Sequence, residues 1–404
     1  MVGDDTRSAQ AEPGASDGSR ERLIGGYAGR LLLSISVGWA MIQAGRLVLS
    51  PMLPTVSAEL GLSNVQAGIP FTVMWGVYAL LQYPSGRLSD RLARKPLLVG
   101  GLVLAAAGFL LLGAAPAYPA LLLGAFVVGL GAGLYPTAAR ALISDLFVAR
   151  RGGAFGLHTA SGDSGGVLAA LLAAAVVGVS WRLAYPPVVV VLLLAAVAVH
   201  VWSDEPYALG RVDLGVRETA RRLLGDPDTR WLLFAYVLFA VTWQSSVAFL
   251  PSFLRFAKGL PPEIATASFG ALFVVGMAAK PVSGVLGDAA GRIRVAAAAL
   301  VIGALALGVV LLSASTPVVV VAVLVFAAGL MAYPPVMQAA LMDAFPDASM
   351  GGDLGGMRTV YIGLGALGPT IVGYVADVAG FGPAFAALVG CLLVAGAVIA
   401  VVGR

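Results

Sequence analysis

The stretch YPSGRLSDRLARK, residues 83–95, interrupts a strongly apolar chain with charged and small residues. A second stretch, KPVSGVLGDAAGRIR at 280–294, has the same order of Ser-Gly, Asp and Arg, displaced by 198 positions (284 − 86 = 198). The fragments YPTAARALISDLF (135–147) and YPPVMQAALMDAF (333–345) match at the same spacing. These two pairs of matching stretches at one spacing indicate an internal duplication.

The composition is that of a membrane protein. Of 404 residues, 59% are hydrophobic and 11% charged, and the mean hydropathy is +0.93. In a typical soluble domain, about one quarter of the residues are charged. Runs such as PLLVGGLVLAAAGFLLLGAA (96–115) approach the ~20 apolar residues that span a bilayer. Because backbone groups in lipid must be bonded internally, these runs predict helices, and the chain is predicted to be an all-α polytopic membrane protein.

We predict twelve spans, divided six and six by the polar interruption at 203–230. The predicted organisation is a disordered cytosolic tail (1–26), an N-terminal six-helix bundle (27–203), a cytosolic linker (204–229) and a C-terminal six-helix bundle (230–404). Loops on the side of the tail contain thirteen basic residues, against three on the other side. The positive-inside rule therefore predicts a protein of the cell membrane with both termini in the cytoplasm.

The segment SGRLSDRLARK resembles the signature between helices 2 and 3 of the major facilitator superfamily, and SGVLGDAAGRIR resembles its weaker repeat. This resemblance implies two pseudo-symmetric six-helix bundles, a site between them and alternating access. It also implies a charged latch that closes the cytosolic side, with Gly86 allowing close helix approach. The predicted latch and capping residues are Gly86, Asp90, Arg91, Arg94, Arg140, Asp145, Gly284, Asp288, Arg292 and Asp343. The fifth span lacks the proline associated with drug antiporters, which counts against that activity.

Ionisable side chains inside a membrane are costly and need a reason. Trp39, Gln43, Arg46 and Ser50 follow a 4-3-4 spacing, so they share one face of the first span and are predicted to line a water-filled cavity. The place of Arg46 resembles that of the first-helix arginine in the anion:cation symporter family. That family has aspartate where this chain has Gly45.

Lys280 lies in KPVSG, which resembles the Arg-Pro-x-x-Gly motif of helix 8 in the monocarboxylate and oxalate transporter families. The arginine of those families faces the carboxylate of the substrate, and the resemblance implies the same role for Lys280. Gln82 is the repeat equivalent of Lys280 (82 + 198 = 280) and shares its helix face with Tyr78. The predicted substrate-binding set is Trp39, Gln43, Arg46, Tyr78, Gln82, Trp243, Gln244 and Lys280.

Asp163 lies about ten residues into the fifth span. It could be a proton or cation site, or the counter-charge of Arg140, Arg46 or Lys280, and we favour the counter-charge. His158 and Arg358 lie near the cytosolic starts of the fifth and eleventh spans. Whether these two face the cavity stays open, with an interfacial position favoured.

Two basic residues against one acid favour a secondary carrier for a small organic anion, above all a carboxylate. The alternative is efflux of drugs or amphipathic cations, followed by sugar transport. No nucleotide loop or nucleophile motif indicates an enzyme, and two histidines with one cysteine argue against a metal site. We expect no cofactor and no nucleic-acid partner. The expected unit is a monomer within the bilayer that binds its substrate, with or without a co-transported ion.

Overall fold

The computed structural model describes residues 22–89, 94–207, 216–345 and 350–402. The sequence positions Asp90 and Arg91 and most of the predicted tail lie outside these ranges. Twelve long helices fill the described part. They are α1 (Gly26–Leu47, continuing as Leu49–Leu60), α2 (Asn64–Ser89), α3 (Arg94–Ala114), α4 (Tyr118–Leu146), α5 (Arg151–Val176), α6 (Trp181–Trp202), α7 (Pro227–Phe256), α8 (Pro262–Ala290), α9 (Arg292–Leu312), α10 (Thr316–Ala344), α11 (Met350–Gly365, continuing as Gly368–Ala379) and α12 (Phe381–Val402).

Eleven of these helices are long and apolar enough to cross a membrane, counted over the described residues. The twelfth, α2, has 26 residues and is long enough, but its composition is more polar. The reason is its position, since α2 packs against α4 on one side and α11 on the other and therefore faces protein. The predicted all-α membrane fold is confirmed.

The helices pack in the same pattern in each half of the chain. In the first half α1 contacts α5 and α6, α2 contacts α4, and α3 contacts α4 and α6. The equivalent pairs recur in the second half, where α7 contacts α11 and α12, α8 contacts α10, and α9 contacts α10 and α12. The halves meet through α2 with α11, through the equivalent pair α8 with α5, and through α1 with α7. The duplication in the sequence is thus a pseudo-twofold symmetry in the fold.

Glycines allow the closest helix contacts, and these contacts also repeat. A Cβ atom on Gly131 would lie 2.6 Å from the carbonyl oxygen of Gly101, where α4 crosses α3. A Cβ atom on Gly329 would lie 2.6 Å from the carbonyl oxygen of Ala299, where α10 crosses α9. Small residues at such crossings let the backbones approach, which is how helices associate in lipid.

Between α6 and α7 lies a short linker helix, Val216–Gly225, which the sequence analysis does not predict. It buries Thr219 and Leu223 against the bundle. The next helix, α7, starts at Pro227, three residues before the predicted boundary. Its N-cap is Asp226, whose carboxylate accepts from the Thr229 hydroxyl at 2.6 Å and the Thr229 N–H at 2.8 Å. These hydrogen bonds lower the pKa of Asp226.

We call the side of the bundle where α1 begins and α2 ends the basic face, because Arg94, Arg151 and Arg292 start their helices there. On the opposite face the halves are in close contact. The Asp377 carboxylate at the end of α11 accepts from the N–H groups of Asn64 and Val65 at the start of α2, at 2.8 and 2.9 Å. The fold is therefore closed on the opposite face.

Candidate functional site

A central cavity of about 230 Å³ lies between the halves. Its wall includes Trp39, Gln43, Arg46, Trp75, Tyr78, Tyr236, Phe239, Trp243, Gln244, Lys280, Arg358 and Tyr361. The structure thus brings together all of the predicted substrate-binding residues except Gln82, which lines a neighbouring cavity. Helices α1, α2, α7, α8 and α11 supply the functional side chains of this wall, so both halves contribute.

Arg46 is the most constrained cation of the cavity, with 2% of its surface exposed. Its Nη1 donates to Oε1 of Gln43 at 3.1 Å, as their spacing on one helix face allows. The guanidinium lies 3.7 Å from the centre of the Trp75 ring and 4.5 Å from that of Tyr78. Within the described structure, Nε and Nη2 have no hydrogen-bond partner. Because buried donors without acceptors are costly, this guanidinium is suited to receive an anionic ligand.

Lys280 forms an ion pair with Asp163 across the two halves. Its Nζ donates to both carboxylate oxygens, at 2.6 and 2.7 Å, and thereby joins α8 to α5. Of the three partners left open for Asp163, the structure pairs it with Lys280. The charge of Lys280 is compensated in this conformation, so Arg46 is the stronger candidate for an anion.

A second cavity, of about 240 Å³, adjoins the central one toward the basic face. Its wall includes Gln82, Tyr83, Thr137, Arg140, Tyr236, Gln338, Arg358 and Tyr361. Two arginines of the sequence analysis line this cavity. Arg358 lines both cavities, whereas the sequence favours an interfacial position for it. Arg140, a predicted latch residue, lines the second cavity in this conformation, and its Nε donates to the Pro136 carbonyl of its own helix at 3.1 Å.

His158 is also placed differently from the favoured expectation. It is buried between α5 and α1, with Nδ1 3.4 Å from the hydroxyl of Ser36 and its ring stacked 6.2 Å from that of Trp39. It lines neither of the two cavities described above. His158 therefore packs the first half together.

Among the described residues, predicted latch residues form ion pairs in both halves. Nη2 of Arg94 lies 2.7 Å from Oδ2 of Asp145, joining α3 to α4. Arg292 pairs with Asp343 at the repeat-equivalent positions, joining α9 to α10, and also with Asp288 at 3.3 Å. The sequence analysis missed Glu205, which accepts from the Arg94 N–H at 2.6 Å. Glu205 follows α6 without a repeat counterpart, so no pattern singled it out.

The glycine of the second signature turn, Gly284, makes no close helix contact. At Gly284 a Cβ atom would meet no atom within 4 Å, so close helix approach does not extend to the second turn. Three residues later, a Cβ atom on Gly287 would lie 3.2 Å from Cγ1 of Val336, so Gly287 is the closer contact. Gly86 lies within α2, and its contacts fall outside the described part of the structure.

The linker helix is tied to both halves at the basic face. Nη2 and Nε of Arg222 donate to Oδ1 of Asp353 in α11 at 2.8 and 3.0 Å, and Asp353 is 2% exposed. These hydrogen bonds raise the pKa of the Arg222 guanidinium. The hydroxyls of Tyr83, in α2, and Thr219 are 3.1 Å apart. The sequence offered no signal for this contact, because the linker is short and polar.

Comparison with known families agrees with the fold and the signature turns. The family model described as Major Facilitator Superfamily matches residues 35–279 and 232–403. The chain belongs to the major facilitator superfamily. It is thus a multi-pass membrane protein of that superfamily.

Among its relatives in the superfamily, the probable sulfoacetate transporter SauU of Cupriavidus necator is 28% identical over 268 residues, which cover 60% of this chain and 61% of that protein. The multidrug resistance protein MdtH of Shigella dysenteriae serotype 1 is 29% identical over 168 residues, 42% of each chain. The matches thus span less than two thirds of either relative. Their substrate classes differ, so sequence similarity alone does not select one.

Two solved structures of transporters share the fold. A bacterial homologue of the human lysosomal transporter Spinster, in an inward-facing and unoccupied conformation, superposes with a TM-score of 0.79 at 18% identity, covering 94% of this chain and 97% of that one. The peptide transporter POT in complex with sulfate superposes with a TM-score of 0.76 at 15% identity, covering 95% and 96%. At these identities the likeness concerns the fold alone.

Proposed function

We propose that this transporter moves a small organic anion with a carboxylate or similar acidic group across the cell membrane by alternating access. The observation that carries the proposal is the Arg46 guanidinium, which is buried in the central cavity with two nitrogens lacking partners. An acidic group of the substrate would supply the missing acceptors. Charge-assisted hydrogen bonds of this kind are about twice as strong as neutral ones.

The charge balance of the cavities supports an anion. Arg46, Arg140, Lys280 and Arg358 line the two cavities, and their described walls contain no aspartate or glutamate. Asp163 compensates only Lys280. In a site of low dielectric constant, the remaining positive charge attracts anions more strongly than it would in water.

The size of the cavities supports a small substrate. Each cavity, at about 230 or 240 Å³, lies below the roughly 300–1,000 Å³ typical of sites for drug-sized molecules, and the two together fall in the lower half of that range. A compact acid such as sulfoacetate, for which the relative SauU is named as a probable transporter, suits this size.

We further propose that the basic face is cytoplasmic, so that both termini lie in the cytoplasm and the site is reached from the cytoplasm in this conformation. The halves 27–203 and 230–404 would rock about the site, with the ion pairs of Arg94 and Arg292 holding each bundle together near the cytoplasmic side. A monomer contains both halves and is the proposed functional unit. Any proton coupling would require Asp163 to leave Lys280.

Efflux of lipophilic cations is the second candidate. Seven aromatic side chains line the central cavity and could receive such a compound: Trp39, Trp75, Tyr78, Tyr236, Phe239, Trp243 and Tyr361. The similarity to MdtH also favours it. The uncompensated arginines oppose it, because a cation bound beside Arg46 would be repelled.

Thermal unfolding of the purified transporter with acetate, sulfoacetate or tetraphenylphosphonium tests the two candidates. We expect an anion to raise the unfolding temperature of the wild-type protein and to lose this effect in Arg46→Gln. The matched control is Arg30→Gln, an exposed arginine on the same helix, which should keep the effect. Stabilisation by tetraphenylphosphonium alone, unchanged in Arg46→Gln, would favour cation efflux. Flux of the stabilising compound into proteoliposomes completes the test.

A further inference from the structure

Buried hydrogen-bond donors that lack acceptors line the second cavity as well as the central one. Nε2 of Gln82, a residue 3% exposed, and Nε of Arg358 are buried and have no partner within the described structure. Among the described residues, the Arg140 side chain donates to one acceptor, a carbonyl of its own helix. All three side chains line the second cavity. Buried donors in such numbers are costly unless a ligand supplies acceptors.

The charges at this cavity point to the same conclusion. Arg140 and Arg358 are close enough to repel each other electrostatically. The described wall contains no carboxylate between them or beside them. The two guanidinium groups therefore raise the energy of the empty cavity, and a negatively charged group bound there would relieve the repulsion.

The two cavities are connected through shared residues. Tyr236, Arg358 and Tyr361 belong to both walls. Tyr78 contacts the guanidinium of Arg46 and also interacts with that of Arg358. Arg358 thus lies at the boundary of the two cavities, with Arg46 in the wall of one and Arg140 in the wall of the other.

We propose that Arg140, Arg358 and Gln82 form a second anion subsite, which binds the distal acidic group of a substrate whose first acidic group binds Arg46. This inference rests on the proposed function and narrows it. The preferred substrates are short dianions with an acidic group at each end, such as dicarboxylates or sulfocarboxylates. A monoanion of the same length fills the central cavity and leaves the second subsite empty.

Binding of succinate and succinamate to the purified transporter, measured by calorimetry, tests the subsite. The two compounds have the same length and differ by one carboxylate. We expect succinate to bind at least about tenfold more tightly. Arg140→Gln should abolish this preference and leave the affinity for succinamate within about twofold, whereas Arg46→Gln should weaken both. Arg358→Gln is the second variant, and Arg140→Lys should restore part of the preference.

The ligand-free variants separate a binding role from a structural one. Because Arg140→Gln removes one of two repelling charges, its unfolding temperature without ligand should equal or exceed that of the wild type. A lower temperature together with equal losses for both compounds would show that Arg140 only supports the fold, and would overturn the subsite. Two succinamate molecules bound per transporter would equally overturn it.

The outcome also distinguishes the subsite from the proposed function. If succinamate binds in an Arg46-dependent manner and succinate binds no more tightly, the second subsite is refuted and anion transport stands. If neither compound binds, and malonate, glutarate and sulfoacetate also fail to bind, both proposals are refuted. An affinity that peaks at one length in the series from malonate to adipate supports two subsites at a fixed distance.

Discussion

Replacing Lys280 with methionine should destabilise the transporter, because it leaves the carboxylate of Asp163 buried without its cation. Both oxygens of this carboxylate accept from Lys280, and the Asp163 side chain is 9% exposed. Methionine keeps an unbranched apolar stem of similar length and removes the charge and all three donors. The test therefore isolates the ion pair that joins α5 to α8.

The size of the effect follows from the burial of the two partners. Removing one member of a buried ion pair costs about 3–5 kcal/mol. The Lys280 side chain is 25% exposed, so water reaches the pair and the cost should lie near about 3 kcal/mol. At about 2.1 cal/mol/K of unfolding entropy per residue, this loss lowers the unfolding temperature of a 404-residue chain by about 4 °C.

The assay is a double-mutant cycle followed by thermal unfolding. Asp163→Asn leaves a cation that is partly hydrated and should cost less, about 1–2 kcal/mol. The double variant Lys280→Met/Asp163→Asn removes both charges and should return to within about 1 kcal/mol of the wild type. The control is Glu59→Gln, which breaks the exposed pair with Arg182 inside one half and should cost less than about 1 kcal/mol.

A Lys280→Met variant as stable as the wild type would refute the reasoning, since Asp163 would then need no cation. So would a double variant less stable than either single variant. Stabilisation by an anion should persist in Lys280→Met, because Arg46 supplies the charge that the substrate requires. If a folded Lys280→Met variant loses that stabilisation, Lys280 takes part in binding the substrate.

Two further predictions concern the opposite face. Gly68→Ala should impair closure of this face and lower the unfolding temperature, because the new methyl group would meet the backbone of Pro369. The control is Gly76→Ala, whose methyl group meets no atom within 4 Å, so this variant should be neutral or slightly stabilising. Asp377→Ala should cost about 1–2 kcal/mol through lost hydrogen bonds at the start of α2. In a cysteine-free background, it should also accelerate labelling of Thr370→Cys by an impermeant maleimide. Unchanged labelling would show that Asp377 does not hold this face closed.

The fold was predictable because its signals are local. Span length and hydropathy are read from consecutive residues, and the duplication is read from one constant spacing. The same spacing relates Arg94 and Asp145 to Arg292 and Asp343, which form equivalent ion pairs. Arg46 was singled out because a charged residue inside an apolar run is costly wherever the helix faces.

The rest of the site depends on tertiary structure that no local pattern encodes. Arg140 and Arg358 lie toward the basic ends of α4 and α11, where a solvated position is the simplest expectation. They line a cavity because the bundles leave space between them at that depth. The contact of Asp377 with Asn64 joins residues 313 positions apart and has no repeat equivalent, so neither periodicity nor duplication reveals it.

Three arginines of the cavities have no ion pair to a described carboxylate: Arg46, Arg140 and Arg358. They affect how fast the protein without substrate can change back from one open conformation to the other. Reorientation passes through a state in which the cavity is shut off from water on both sides. An empty protein must then enclose charges that nothing compensates, whereas a loaded one encloses them together with an anion. A difference of about 1.4 kcal/mol between these barriers slows the empty step tenfold. We therefore expect one-for-one exchange of anions to outpace net movement, with the return of the unloaded protein setting the turnover rate.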